Sequence, residues 1–384
     1  MPVLMSRRSF ISLLQRNSEF LFKSRSHVSF SLDFSTSAKK QQPFPTTPTV
    51  SQLFLQKHDF SPQAAAQITS ALTRVKNPEN PNSVLSFLKE NGFSKTQLEK
   101  IMIYRPQILV ASLENNIKPK FKFFQDLGFS ASEISVIISK DPWFLKNSLN
   151  NRLAPSLAVL KGILGSKEEV ANLLKHSSWF LTRDLEKTLV PNIEFLMSCG
   201  VQLNQILKII HSFPRFFLIK PEIMRKCADK ADRIGVDRSS GMYLHAVRVI
   251  ASMSEETWEL KLQSFRNMGF SEKDILSIYK KSPQVFVVSI EKMKKIKELL
   301  LATGKYDISC IVNRPQALST SVEKRYRPRL QVLNVLESKN LIKKWPNLGV
   351  VYLMPDEKFH EKFVAPYINE IGQVNMATSA VSGK

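Results

Sequence analysis

Basic side chains alternate with other residues around two prolines, Pro119 and Pro328. The six residues are Lys118, Lys120, Lys122, Arg325, Arg327 and Arg329. Ammonium and guanidinium groups at such spacing can contact successive phosphates of a polyanion, and each contact releases a condensed counterion. An arginine can also read a base, because its fork pairs with guanine O6 and N7. The chemistry that these residues suggest is therefore noncovalent binding of a phosphate backbone.

Other basic residues occur at comparable places along the chain. They are Arg152, Arg183, Lys187, Arg215, Lys220, Arg225, Lys292, Lys295 and Arg314. The chain has 55 Lys and Arg against 33 Asp and Glu, which gives a net charge of +22. This balance favours a polyanionic partner such as nucleic acid or an anionic membrane surface. A charged side chain on a helix face is often only solvated. Each of these residues is therefore a candidate for ligand contact whose position in the structure decides whether it can reach a ligand.

Patterns for covalent or metal chemistry are weak. The segment from Gly162 to Lys167 has two glycines and a lysine, but not the spacing that wraps phosphates with backbone amides. Cys199, Cys227 and Cys310 are widely spaced without a CxxC pair, which predicts reduced, buried thiols. The six histidines are scattered singly. We therefore predict no catalytic site, no metal, no cofactor and no small-molecule substrate.

Glycine recurs with a period of about 35 residues, and a proline follows most of these glycines after a similar interval. The glycines are Gly92, Gly128, Gly165, Gly200, Gly235, Gly269 and Gly304. The prolines are Pro106, Pro142, Pro214, Pro283 and Pro315, while Ser178 and Ile250 fill the remaining places. A period in this range indicates a stacked array, because one unit cannot bury its apolar face without neighbours.

The interval between glycine and proline predicts an amphipathic helix. Ile134, Ile137 and Ile138 follow the i, i+3, i+4 spacing that places them on one face, and the same offsets recur after Gly92 and Gly200. Each glycine should end the preceding helix in a left-handed conformation. Each proline should end the helix that follows the glycine, which is the first of two helices in the repeat unit.

A large apolar residue stands three positions after each proline or its replacement. These residues are Leu109, Leu145, Leu181, Phe217, Phe286 and Leu318. We expect them to fill the groove between adjacent units, before a second helix runs to the next glycine. Trp143 and Trp179 lie 36 residues apart at matching places, which favours a core role over base stacking. The lack of proline at Ile250 predicts a less sharply fixed turn there.

The repeat defines the predicted domain boundaries. Phe60 precedes Phe93 by 33 residues, with Asp59 in place of glycine, so residues 46–80 form a helical segment with a degenerate first repeat. The array occupies residues 81–345. Residues 346–384 form a C-terminal tail whose last residues, TSAVSGK, should be disordered.

The N-terminus has the composition of a targeting segment. Residues 1–40 contain ten serines, seven basic residues and two acids, with apolar residues spaced for an amphipathic helix. This pattern is typical of an organellar transit peptide, which we place at residues 1–45. It favours mitochondria, and its serine content leaves chloroplasts as the alternative. No run of 18 apolar residues occurs, so no membrane-spanning helix is expected.

The sequences GFSASEISVIISKDPWFL, from Gly128 to Leu145, and GFSEKDILSIYKKSPQVF, from Gly269 to Phe286, carry a family resemblance. They resemble the mitochondrial transcription termination factor (mTERF) family, particularly its plant members. The resemblance spans about Phe60 to Trp345. It implies a crescent of helical repeats that binds double-stranded nucleic acid in an organelle, with roles in transcription termination or related RNA events.

We therefore expect an all-α, superhelical array of seven to eight helical hairpins. The favoured function is binding of organellar double-stranded DNA by a monomer that regulates transcription, without enzymatic activity. One alternative is an RNA-binding factor for intron splicing or rRNA maturation. Another is a helical scaffold that binds protein partners.

Overall fold

A computed structural model of the chain describes residues 50–72 and 79–371. Within these residues the regular secondary structure is entirely helical, which confirms the predicted fold class. None of the described helices is long and apolar enough to cross a bilayer. The predicted transit peptide, residues 1–45, and the terminal TSAVSGK segment lie outside the described residues.

The chain divides into two compact units. The first comprises residues up to Glu194 together with Leu207–Leu218, and the second comprises Phe195–Ile206 together with the residues from Ile219 onward. In each unit the same helical hairpin recurs.

Every repeat has a first and a second helix. The first helices are Pro62–Ala71, Lys95–Tyr104, Ala131–Lys140, Lys167–Ser177, Leu203–Ser212, Tyr243–Ala251, Glu272–Lys281, Ile308–Asn313 and Leu348–Leu353. The second helices are Glu79–Glu90, Lys118–Asp126, Ala154–Leu164, Leu189–Ser198, Pro221–Arg233, Glu255–Asn267, Ile290–Leu301, Arg327–Ser338 and Asp356–Phe363.

Short elements complete the description of the repeats. The 3₁₀ turns between the two helices of a repeat are Pro106–Val110, Pro142–Lys146, Ser178–Thr182, Pro214–Leu218, Pro283–Val287 and Pro315–Ser319. Single π-helical turns occur at Leu53–Lys57, Leu113–Ile117, Leu149–Leu153 and Val322–Tyr326. The remaining short elements are Val50–Gln52, Ala365–Tyr367 and Ile368–Ile371.

The Gly-Phe-Ser motif marks the start of a repeat for three physical reasons. All seven periodic glycines have φ between 65° and 93°, so they end the preceding helix as predicted. The phenylalanine of each motif, for example Phe129, is buried. The serine caps the first helix: Ser130 accepts a hydrogen bond from the Glu133 amide, and Glu133 accepts one from the Ser130 amide.

In the described part of the chain, two residues other than glycine also adopt the left-handed conformation. Asp59 has φ of 56°, and a capped helix begins two residues after Phe60, which supports a degenerate first repeat at this position. Asn340 has φ of 55°, 36 residues after Gly304. Helices follow it as far as Ile371, so residues 346–371, expected to belong to a tail, continue the repeat pattern.

The 3₁₀ turns are the places where consecutive repeats meet. The apolar residues three positions after the prolines are all 3% exposed or less. Phe286, for instance, lies 5.3 Å from Trp258 and 4.8 Å from Phe265 between ring centroids, and both belong to the preceding second helix. This confirms that these residues fill the groove between repeats.

Two repeats that lack the proline behave differently from each other. Ser178 begins a 3₁₀ turn like those that start with proline. Around Ile250 no such turn forms, and the Tyr243–Ala251 helix is separated from the Glu255–Asn267 helix by three residues. The sequence departure at Ile250 therefore changes the backbone, whereas the one at Ser178 does not.

Candidate nucleic-acid interface

Polar side chains on the second helices donate hydrogen bonds to main-chain carbonyls of the next repeat. Asn80 Nδ2 donates to the carbonyls of Leu109 (2.7 Å) and Ala111 (3.1 Å). Asn192 Nδ2 donates to the Phe217 carbonyl at 3.0 Å. Most of the acceptors belong to 3₁₀ turns or to the residue or two after them, where carbonyls lack helical partners. We call this set the inter-repeat donors: Asn80, Lys120, Ser156, Asn192, Lys261, Lys292 and Arg329.

Lys120 was predicted to contact phosphate, but it is an inter-repeat donor. Its side chain is 5% exposed, and its Nζ donates to Asn116 Oδ1 and to the carbonyl of Leu145. Burial lowers the pKa of Lys120 to about 8. An ammonium group in this position faces protein carbonyls and not solvent. Its placement therefore contradicts the expectation of a solvent-facing stripe at Lys118, Lys120 and Lys122.

Arg329 is also buried, at 3% exposure. Its guanidinium donates to the carbonyls of Val350, Val351 (both 3.1 Å) and Met354 (2.6 Å) and forms an ion pair with Asp356. Burial lowers the pKa of Arg329 from its ordinary value. This arginine attaches the helices after Asn340 to the Arg327–Ser338 helix.

The neighbouring arginines divide between protein and solvent. Arg325 is half-buried and donates to the Tyr352 carbonyl at 3.1 Å and to Asp356 at 3.3 Å. Arg327 is exposed and forms an ion pair with Glu323 at 2.8 Å. Lys292, another candidate, is half-buried and donates to the Ser319 carbonyl at 2.5 Å. The predicted arginine cluster thus offers one solvent-facing member.

Most remaining candidates on the second helices, and Arg152 and Lys187 just before two of them, form ion pairs at the surface. The pairs are Lys118 with Glu114, Lys122 with Asp126, Lys295 with Glu323, and both Arg152 and Lys187 with Asp184, at 2.5–3.5 Å. Exposed pairs of this kind contribute only about 0–1 kcal/mol. Each of these cations is nevertheless partly neutralised by its carboxylate, so it presents less positive charge to a ligand than an unpaired cation does.

Candidates that are exposed and form no ion pair with another described residue include Arg183, Lys220 and Arg314. Arg183 directly follows the Ser178–Thr182 turn, and Arg314 directly precedes the Pro315–Ser319 turn. Lys220 lies between the Pro214–Leu218 turn and the helix that begins at Pro221. These three exposed cations therefore lie at or near the ends of 3₁₀ turns.

Two further candidates are exposed arginines that lie next to aromatic rings. The Arg215 guanidinium carbon is 5.5 Å from the centre of the Trp179 ring, and that of Arg225 is 5.5 Å from the centre of the Phe195 ring. Trp179 is half-buried and stacks on Phe180 with centroids 4.9 Å apart. Each guanidinium keeps donors free for a phosphate or base while its ring partner orients it.

Trp143 contradicts its predicted core role, because 41% of the residue is exposed. The Arg105 guanidinium carbon lies 3.9 Å from the ring centre, and Lys146 Nζ lies 4.8 Å from it. Sequence reasoning missed Arg105 and Lys146. Their sequence positions could have identified them. Arg105 directly precedes the Pro106–Val110 turn and follows an aromatic residue, and Lys146 ends the Pro142–Lys146 turn that contains Trp143.

The three cysteines are free thiols. Cys199 and Cys227 are buried, as expected, and Cys310 is half-buried. Burial raises the pKa of the Cys199 and Cys227 thiols above the ordinary value.

Comparison with known proteins connects this arrangement to one family. The mTERF family model matches residues 85–238 and 184–360, together more than half of the chain. The chain is also 21% identical over 211 residues to "Transcription termination factor MTERF15, mitochondrial" of Arabidopsis thaliana. That alignment covers 46% of this chain and 47% of the relative, so the chain spans about half of the relative's length. On the extent of the family match, the chain belongs to the mTERF family.

Proposed function

We propose that this protein binds double-stranded DNA in an organelle and regulates transcription there, as a bound obstacle that terminates elongation. The observation that carries the proposal is a set of exposed cations near the 3₁₀ turns that form no ion pair within residues 50–72 and 79–371: Arg183, Lys220 and Arg314. Membership of the mTERF family and the name of the Arabidopsis relative support a role in organellar transcription.

In the proposed mechanism, one set of residues holds the repeats together and a different set contacts DNA. Inter-repeat donors such as Lys120 and Arg329 hold consecutive repeats together, and this fixes the positions of the turns. Arginines and lysines at the ends of the turns then contact phosphates, and counterion release supplies affinity. Arginines among them supply sequence preference, because guanidinium groups pair bidentately with guanine. No bond is made or broken in this function.

The proposed site of action is the mitochondrion, with the chloroplast as the alternative. The name of the Arabidopsis relative includes the mitochondrion, and the composition of residues 1–40 is typical of an organellar transit peptide. Fusion of a fluorescent protein to the C-terminus of the full chain, followed by imaging against markers for both organelles, distinguishes the two. A cytosolic signal would remove the organellar part of the proposal.

A salt titration tests the binding proposal. The affinity of the full-length protein for organellar duplex DNA should fall steeply with salt, and log K against log salt should be linear. Arg183→Gln and Arg314→Gln should each reduce the slope by about 0.9, the value for one lost phosphate contact on duplex DNA. Lys122→Gln is the matched control, since this lysine already pairs with Asp126 at 3.1 Å. Binding that is insensitive to salt, or equal slopes for all variants, would contradict the proposal.

Termination is tested separately on a template that carries a selected high-affinity site. Read-through by an organellar polymerase should fall in the presence of the protein, and Arg183→Gln should restore it in proportion to the lost affinity. Tight binding without any change in read-through would retain DNA binding and reject termination.

A further inference from the structure

We infer that two carboxylates, Asp184 and Glu323, weaken the binding of DNA by the cations beside them. Each of them pairs with two candidate cations, so the protein holds DNA less tightly than its basic residues alone would allow. We call Asp184 and Glu323 the restraining carboxylates. The inference rests on the proposed function and deepens it, because it gives acidic residues a part in setting the affinity of the same surface.

The restraining carboxylates lie between a 3₁₀ turn and the second helix that follows it. Asp184 comes two residues after the Ser178–Thr182 turn, and Glu323 comes four residues after the Pro315–Ser319 turn. An exposed candidate cation lies at one end of each of these two turns. The carboxylates are therefore placed where the proposed phosphate contacts are made.

Asp184 faces one cation that precedes its turn and one that follows it. Arg152 Nη1 lies 3.4 Å from Asp184 Oδ2, and Lys187 Nζ lies 3.5 Å from the same oxygen. Desolvation raises the pKa of this carboxyl, but the Lys187 amide, the Lys187 ammonium and Arg152 together hold it below the ordinary value. Asp184 is therefore ionised at neutral pH and shares one negative charge between two cations.

Glu323 has the same relation to two cations of the second unit. Lys295 Nζ lies 2.9 Å from Glu323 Oε1, and Arg327 Nε lies 2.8 Å from Oε2. Lys295 and Arg327 lower the pKa of the Glu323 carboxyl below its ordinary value. All three side chains are more than half exposed. A phosphate can thus reach these cations from solvent, but only in the presence of the carboxylate.

The electrostatic consequence follows from the charges. Two cations and one carboxylate together carry a single positive charge, so they attract a phosphate about as strongly as one unpaired cation does. Attraction to phosphates supplies essentially all of the affinity for DNA of arbitrary sequence. The restraining carboxylates therefore keep such binding weak. At a given salt concentration the protein then stays bound mainly where base contacts add to the affinity.

The same ion pairs also connect consecutive repeats, because Arg152 and Lys295 precede the turns and the carboxylates follow them. A structural role and a restraining role predict opposite results. If the carboxylates served only to hold the repeats together, their removal would lower stability and would leave DNA affinity unchanged or reduced. If they restrain binding, their removal strengthens it, and the loss of stability is small because exposed pairs contribute little.

The test uses Glu323→Gln in the full-length protein, since glutamine keeps the size of the side chain and removes its charge. Fluorescence anisotropy measures binding to duplex DNA of arbitrary sequence over a range of salt concentrations. The slope of log K against log salt should become steeper by about 0.9 for each cation that is freed, which is about eightfold tighter binding per cation at about 0.1 M salt. Asp184→Asn should give the same result in the first unit.

Glu272→Gln is the matched control, because it changes the net charge by the same amount. Glu272 is as exposed as Glu323 and pairs at 2.6 Å with Arg266, which is not a candidate for DNA contact. It should change the affinity less than about twofold, because salt screens charges that lie far from the ligand. A second control is Glu323→Gln in a chain that also carries Lys295→Gln and Arg327→Gln. It should gain no more than Glu272→Gln does, because no cation remains to be freed.

Several outcomes would overturn the inference and leave the proposed function intact. They are salt-dependent binding by the wild type with no gain in either Glu323→Gln or Asp184→Asn, a gain of equal size in Glu272→Gln, and an undiminished gain when Lys295 and Arg327 are also replaced. Thermal unfolding verifies that each variant is folded. If the wild type does not bind duplex DNA in a salt-dependent way, the proposed function fails and the inference fails with it.

Discussion

The second helices and the 3₁₀ turns both carry basic residues, but they place them in opposite environments. On the second helices, Lys120 and Arg329 are buried against main-chain carbonyls. At the turns, Arg183 and Arg314 are exposed and form no ion pair with any other described residue. The difference arises because the second helix of one repeat packs on the 3₁₀ turn of the next, as Glu79–Glu90 does on Pro106–Val110. Basic residues thus contact main-chain carbonyls in one element and face solvent in the other.

Removal of Arg329 should have the largest effect on stability, and it tests whether the buried cations of the second helices hold the repeats together. Arg329→Met loses the bonds to Val350, Val351, Met354 and Asp356, and leaves carbonyls without donors. We expect the free energy of unfolding to fall by about 3–5 kcal/mol, as when one partner of a buried ion pair is removed, measured by urea denaturation. Arg327→Met is the control, because an exposed ion pair contributes about 1 kcal/mol or less. Equal effects of the two variants would mean that Arg329 does not hold the helices after Asn340.

Removal of Lys120 should also lower the free energy of unfolding, but by less than removal of Arg329. Lys120→Met leaves the Leu145 carbonyl without its donor, and we expect a loss of about 1–3 kcal/mol in urea denaturation. Lys122→Met, on the exposed side of the same helix, should change stability by less than about 0.5 kcal/mol. If Lys120→Met weakened DNA binding in a folded protein and Lys122→Met did not, the assignment of Lys120 to cohesion would be rejected.

The pH dependence of stability tests the burial of Lys120 directly. Its pKa is about 8 in the folded chain against an ordinary value of 10.5. Between these two values the unfolded state binds more protons, so the wild type gains stability with rising pH relative to Lys120→Met. Below pH 8 both states are protonated and the difference between the two proteins is constant. A difference that stays flat from pH 7 to 10.5 would show that Lys120 is solvated.

The smallest effect on stability is expected at the turns. Arg183→Gln should change the free energy of unfolding by less than about 0.5 kcal/mol, because this side chain is exposed. The same variant should lower the salt slope of duplex binding by about 0.9, whereas Lys120→Met should leave the slope unchanged when both proteins are folded. We therefore expect a Lys120 variant to change stability alone and an Arg183 variant to change the salt slope alone. A variant of either residue that changed both quantities would contradict this division of roles.

The repeat architecture could be predicted from sequence because its signals depend on the backbone. Positive φ at the period-35 glycines, serine caps and prolines at the turns are requirements of local conformation. Asn340 was missed because asparagine tolerates the same conformation without standing out in the sequence, and the helices after it were therefore assigned to a tail.

The division of the cations was not predictable in the same way. Successive residues of a helix point about 100° apart, so an alternating run such as Lys118, Lys120 and Lys122 places its members on different faces. The sequence does not tell which face meets the next repeat. The inter-repeat donors also differ in type, with Asn80, Ser156 and Lys120 in comparable places, so no single residue identity reveals them.

The inter-repeat donors bond to carbonyl oxygens, and every amino acid supplies one. Asn192 holds Phe217 through its main chain, just as Ser156 holds Arg183. The side chains at the turn ends can therefore change over evolutionary time without loss of the bonds that join the repeats. With DNA bound at the turns as proposed, a new binding preference can arise by substitution at one turn while the rest of the protein remains as it was. The same freedom makes these positions suitable for engineering: residues exchanged between turns should redirect recognition in an otherwise unaltered fold.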